Sequence, residues 1–210
     1  MSAAAADPHH LGHGDVPVSE RGPAPQRIVV AYGFWIFLLS DFILFSGFFA
    51  SYAVLGGETA GGPSGRDVFD LGLVAWETAA LLLSSFAAGL ASVAMLARRA
   101  PLFQIGMAVA GLLGAAFVAG EVHEFLHLIG EGNGPARSAF LSSFFALVGC
   151  HGLHVTLGLL WLMTMMAQVG AKGFRDDVIR RVNCFMLFWH ALDIIWVALF
   201  TTVYLLGSGA

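Results

Sequence analysis

The chain has 210 residues, 58% of them hydrophobic and only 11% charged, with a formal net charge of −4. A soluble domain carries about 25% charged residues, so this composition excludes one and points to an integral membrane protein. Ten basic residues scattered between apolar runs make no basic patch, and no nucleic acid is expected as a partner.

The first 27 residues are polar and hold Pro8, Pro17, Pro23 and Pro25. They predict a disordered tail rather than a cleavable signal peptide. His9, His10 and His13 in that tail could hold a metal adventitiously, but nothing else there supplies ligands, and they read as solvated side chains. Five apolar runs follow, at about 28–55, 71–96, 102–128, 138–169 and 182–206. Each is long enough to cross about 30 Å of hydrocarbon at about 1.5 Å per residue. The fold class expected is an all-α integral membrane protein, with residues 28–210 forming one domain of five transmembrane helices. The loops are short, so sequence neighbours should be antiparallel neighbours in space. Between the first two runs, Gly56 to Asp70 is glycine-rich and carries Pro63, which stops a helix.

Charge sets the orientation. Arg21, Arg27, Arg98, Arg99, Lys172, Arg175, Arg180 and Arg181 fall on one side of such a bundle, and only Arg66 and Arg137 on the other. The excess of basic residues on cytoplasmic loops then puts the N-terminus in the cytoplasm and the C-terminus in the periplasm. The third run holds Ala110/Gly114 and Ala116/Gly120, small residues four apart. These suit close helix approach and are equally ordinary membrane-helix composition. Cys150 and Cys184 lie at different depths outside any C-x-x-C pattern and read as small buried residues.

Ionisable groups inside apolar runs are costly, so they mark sites or pairs. They fall into two layers. Asp41, His151, His154, His190 and Asp193 lie near mid-membrane. Glu77, Glu121, Glu124 and His127 lie toward the periplasm, with His123 close by. His151/His154 and His190/Asp193 are i, i+3 pairs sharing a helix face. Four readings follow. Glu124-x-x-His127 has the pattern of a di-iron carboxylate bundle, which needs two such motifs. His151 or His154 with His190 would suit haem ligated from two helices. The same groups suit a proton or ion path, although no internal repeat is visible. Or they pair across helices, hold lipid headgroups or dock a partner, each pair contributing about 0.6–2 kcal/mol.

Longer blocks carry more. FFALVGCHGLHVTLGLL (Phe144 to Leu160) and FWHALDIIWVALFTTVYLLG (Phe188 to Gly207) resemble the signature of subunit III of the haem-copper respiratory oxidases. GFWIFLLSDFILFSGFFASYAVL (Gly33 to Leu55), TAGGPSGRDVF (Thr59 to Phe69), ETAALLLSS (Glu77 to Ser85) and GPARSAFLSSFF (Gly134 to Phe145) are similar to its quinol-oxidase branch, the cytochrome bo type. The likeness covers nearly everything from Tyr32 on. Cytochrome c oxidase members commonly have seven spans, whereas five are expected here, as in the bo-type branch.

The resemblance implies a non-catalytic chain in a bacterial inner membrane. It would hold no haem or copper itself and would pack against a large catalytic subunit I that does, with the other oxidase subunits around it. It would bind phospholipid in a cleft and support stability and sustained turnover. The complex would oxidise ubiquinol, reduce dioxygen to water and pump protons. Glu77 matches the family's ETxLLLSS glutamate, His151 and His154 its H-G-L-H-V pair, and His190 and Asp193 its W-H-x-x-D. By that example these are structural or lipid-cleft positions, with no catalytic or metal-ligating residue. Glu77, Glu121, Glu124 and His127 are expected to meet near Arg137 and Trp76 and hold a lipid headgroup or one another. Asp41, His151, His154, His190 and Asp193 are expected to form interhelical hydrogen bonds at mid-depth. A subunit III of a cytochrome c oxidase, or a self-sufficient membrane redox or transport protein, are the other readings.

Overall fold

The computed structural model describes residues 26–209, and they are almost entirely helical. In chain order the helices are α1 (Gln26–Leu55), the single turn α2 (Gly65–Val68), α3 (Leu71–Leu96), α4 (Ala100–Gly130), α5 (Ala139–Lys172) and α6 (Asp176–Leu199). α6 runs on through a π-helical segment, Phe200–Leu205, into the short α7 (Leu206–Gly209). Five helices are long and apolar enough to cross a membrane: α1, α3, α4, α5 and the continuous stretch Asp176–Leu205. The tail expected at residues 1–27 lies outside the described residues up to residue 25, and Gln26 and Arg27 open α1.

Local chemistry explains the helix ends. Asp70 caps α3, its Oδ1 accepting from the N–H groups of Gly72 at 2.9 Å and Leu73 at 3.2 Å. Ser138 caps α5 by accepting from Leu141 N–H. Gly173, at φ 65°, closes α5 beyond Lys172. The last span starts at Asp176, earlier than the expected Val182. Asp176 and Asp177 occupy its first turn, where the helix dipole favours acid, so the polar stretch DDVIRR is helix and not loop. Hydroxyls on exposed faces serve their own helix: Ser40, Ser46 and Ser51 of α1 donate to the carbonyls of Phe37, Phe42 and Gly47. These three hydroxyls are thereby paired where they face hydrocarbon.

α3 and α4 form the most extensive pair, a tight hairpin turned at Arg98, whose φ is 54°. Its closeness comes from small residues: a Cβ on Gly106 would stand 2.9 Å from that of Ala91. α5 packs on α4, α6 and α1, while α6 touches α1, α3 and α5 and forms the hub of the bundle. Burial follows this order, 61% of the most apolar stretch for the last span against 11% for α1.

Trp189 of α6 ties three helices. Its ring lies between Gly114 of α4 and Gly158 of α5, where added Cβ atoms would fall 2.9 and 2.8 Å from ring carbons. Its Nε1 donates to Ser84 Oγ of α3 at 3.1 Å, and Ser84 donates to the carbonyl of Ala110 in α4 at 2.8 Å. Gly114 and Gly120 thus sit at contacts, Gly120 under the side chain of Glu77, whereas Ala116 faces outward.

Candidate functional site

Three glutamates from two helices are buried at one end of the bundle, where α3 begins and α4 ends. Glu77 is 0% exposed, Glu121 4% and Glu124 5%. Glu77 lies over Gly120 of α4, and Glu121 over Gly152 of α5, each glycine leaving room where a Cβ would strike the carboxyl group. Glu121 is within electrostatic reach of both other acids. Tyr204, in the π segment, donates to Glu124 Oε2 at 2.9 Å. Both oxygens of Glu77, Oε2 of Glu121 and Oε1 of Glu124 have no hydrogen-bond partner among the described residues. Such oxygens mark places where water, a proton or a ligand completes the bonding.

The π segment shapes this end. Thr201 and Thr202 donate to the carbonyls of Val197 and Ala198, and Leu206 N–H reaches back five residues to Thr201. Hydroxyls that bond back to the i−4 carbonyl loosen the α ladder and admit the wider turn. Tyr52 of α1 donates to the carbonyl of Val203 at 3.4 Å.

Of the expected companions of the acids, Trp76 and Arg137 stand apart, while His127 lies in a recess beside Glu124. Trp76 is 59% exposed on the outer face of α3. His127 is exposed, with its Nε2 3.7 Å from Glu131 Oε1 on its own helix. Arg137 is exposed and lies beside Gly62 of the first loop. The reason is helical spacing: Glu121, Glu124 and Leu128 form the inward stripe of α4, and His123 and His127 lie beyond its edge. His123, Glu124 and His127 do share a recess of about 190 Å³ with Asp70.

The mid-depth layer also divides. His190 Nδ1 lies 2.5 Å from Ser85 Oγ of α3, and Ser85 is also the side-chain partner of Asp193. Both contacts run between α3 and α6. His151 departs from expectation. It is wholly buried and neither ring nitrogen has a partner among the described residues. Its ring instead packs against Trp196, Phe117 and Phe45, with centroids at 5.1, 5.7 and 6.3 Å. His154 bonds within its own helix, Nδ1 donating to the carbonyl of Cys150 at 2.7 Å. Asp41 is half-buried and faces His154 across the α1–α5 contact. Cys150 and Cys184 are free thiols.

Among the described residues no three His, Cys, Asp or Glu are placed to hold a metal ion. A groove of about 860 Å³ opens between α1 and the end of the last span, lined by Phe49, Tyr52, Phe140, Ala198, Thr202 and Leu206. It is separate from the acids. Tyr204 and Ser85 are the contributors that sequence reading overlooked. Ser85 was within reach of the helical pattern, eight residues past Glu77 on one face of α3. Tyr204 had no local signal, since it meets Glu124 across 80 positions.

The family model for cytochrome c oxidase subunit III matches residues 24–208. The chain is 48% identical over 203 residues to cytochrome bo(3) ubiquinol oxidase subunit 3 of Pseudomonas aeruginosa, covering 97% of this chain and 95% of the relative. It is 53% identical over 175 residues to the protein of that name from Pseudomonas putida, covering 83% and 84%. It is 41% identical over 202 residues to quinol oxidase subunit 3 of Bacillus subtilis, covering 95% and 98%. With five apolar helices in place and a match spanning nearly all of them, this chain belongs to the cytochrome c oxidase subunit III family.

Proposed function

We infer that this chain is the non-catalytic third subunit of a cytochrome bo-type ubiquinol oxidase, a multi-pass protein of a bacterial inner membrane. The observation that carries this is the likeness over nearly the full length to relatives named as quinol oxidase subunits. The catalytic subunit I of the complex would hold the haems and copper, and this chain would stabilise it and bind phospholipid. Two features support a role in an assembly. α1 turns large apolar side chains outward along most of its length, among them Trp35, Ile36, Phe37 and Ile43. Such a face meets lipid or another subunit's helices. The groove beside α1 has the size and apolar character of an acyl-chain cleft. A haem-ligating role for His151 is disfavoured by the three aromatic rings closed around it.

The orientation proposed is cytoplasmic for the N-terminus and periplasmic for the C-terminus, on the basic residues of the two loop sets. Cysteines introduced at Glu131 and Lys172 test it: an impermeant maleimide added to spheroplasts should label the first and spare the second.

The functional test is purification in gentle detergent by a tag on this chain, with an optical spectrum and a count of co-purifying chains. Haem and copper arriving with a much larger partner, and a colourless chain once stripped, support the reading. A chain that runs alone and keeps its own haem or iron overturns it.

A further inference from the structure

We propose that the recess where α3 begins and α4 ends seats the ammonium-bearing headgroup of a phospholipid, held by Asp70, His123, Glu124 and His127. The inference rests on the reading of this chain as a lipid-binding subunit, and it names the headgroup class and the residues that select it.

Position comes first. The recess is bounded by the cap and first turn of α3 and the last turns of α4, which is headgroup depth for two membrane-crossing helices. Leu73 and Leu128 give it an apolar floor. Its volume is about 190 Å³, room for about six waters and more than a bare ion fills.

Charge comes second. Two carboxyl groups and two imidazoles line the recess, and among the described residues no Lys or Arg does. Asp70 and Glu124 are within electrostatic reach of one another. Glu124 is the deciding residue. It is 5% exposed, Tyr204 holds its Oε2 from the core side, and Oε1 has no partner among the described residues. A buried carboxyl oxygen in that position calls for a donor, and a cationic donor also offsets the neighbouring acid. No three side chains there are set for a metal. A primary ammonium presents three N–H donors without demanding a coordination geometry, so it serves Glu124 and Asp70 together. The phosphate attached to it then lies toward the rim, where His123 and His127, one helical turn apart, offer ring N–H donors. An ethanolamine headgroup satisfies both halves. A glycerol headgroup lacks the cation, and a choline headgroup lacks the N–H donors.

The test uses the full-length tagged chain reconstituted in nanodiscs with equal amounts of ethanolamine, glycerol and choline phospholipid. It is then released into gentle detergent, and retained lipid is counted by native mass spectrometry. The ethanolamine lipid should be retained about tenfold over each of the others. Glu124→Gln, which keeps an acceptor for Tyr204, should bring retention to parity. So should Asp70→Asn, whose amide oxygen can still cap α3; this second variant carries the test if the first fails to fold. Equal retention of the three lipids by the unaltered chain, or a preference that survives both variants, overturns the inference and leaves the lipid-binding reading standing. No lipid retained by the unaltered chain overturns both.

Discussion

Gly158→Ala tests whether the bundle is locked at Trp189. The added Cβ would lie 2.8 Å from Trp189 Cζ3 and 3.2 Å from Phe188 Cε1. Carbon pairs rest at about 3.5–4.0 Å, so the ring must retreat by about 0.7–1.2 Å. It has nowhere to go. Gly114 closes its other side, with an added Cβ there 2.9 Å from Cζ2, and Nε1 is tied to Ser84 at 3.1 Å. Overpacking of this kind costs about 1–3 kcal/mol, and the Gly-to-Ala gain in helix propensity returns about 0.5–1. The net expectation is a loss of about 0–2.5 kcal/mol, centred near 1. Gly47→Ala is the reference, because nothing lies within 4 Å of its added Cβ; it should gain about 0.5 kcal/mol. The assay is thermal unfolding of the chain in gentle detergent, followed by the fluorescence of its five tryptophans. Trp189→Phe in the Gly158→Ala background should recover part of the loss, a coupling of about 0.5 kcal/mol or more. If Gly158→Ala melts as high as Gly47→Ala, the locked-ring argument is wrong.

Tyr204→Phe removes the donor to Glu124 Oε2 and should cost about 1–3 kcal/mol, against less than about 0.5 for Tyr32→Phe on the exposed face of α1; melting temperatures decide. Ser84→Ala breaks both the acceptor of Trp189 and the link to Ala110, and should be about 1 kcal/mol or more worse than Ser40→Ala, whose hydroxyl serves only its own helix. His151→Phe exchanges one buried ring for another where neither nitrogen has a partner among the described residues. It should lie within about 1 kcal/mol of the unaltered chain, whereas His151→Ala leaves a cavity costing about 2–4. Loss of oxidase turnover in an intact His151→Phe complex would assign the imidazole a chemical role.

The helices were legible because apolar length is a strong signal, and the bounds agree to within a few residues wherever composition changes abruptly. The start of α6 was misread because DDVIRR is polar, yet its acids suit the first turn of a helix. At the site, Glu77, Glu121 and Glu124 share one end of the bundle, and counting along each span put them in one layer. Rotation about each helix axis was less legible. Trp76 faces outward, whereas His127 is exposed yet lines the recess beside Glu124, and a count of residues gives depth alone. His151 was misjudged for another reason. A histidine in an apolar run suggests a polar partner, whereas here aromatic rings from three other helices take up its faces, and no sequence pattern lists which rings will converge.

The glycine seats under the buried acids bear on how the sequence can drift. Glu77 needs the bare backbone of Gly120, and Glu121 that of Gly152. Neither acid can keep its place if its glycine gains a methyl, and neither glycine has reason to stay bare if its acid is lost. Each pair is therefore one unit of inheritance spread over two helices, 43 positions apart in one case and 31 in the other. In an alignment of relatives the two columns of a pair should change together, with a shorter acid or none wherever alanine replaces the glycine.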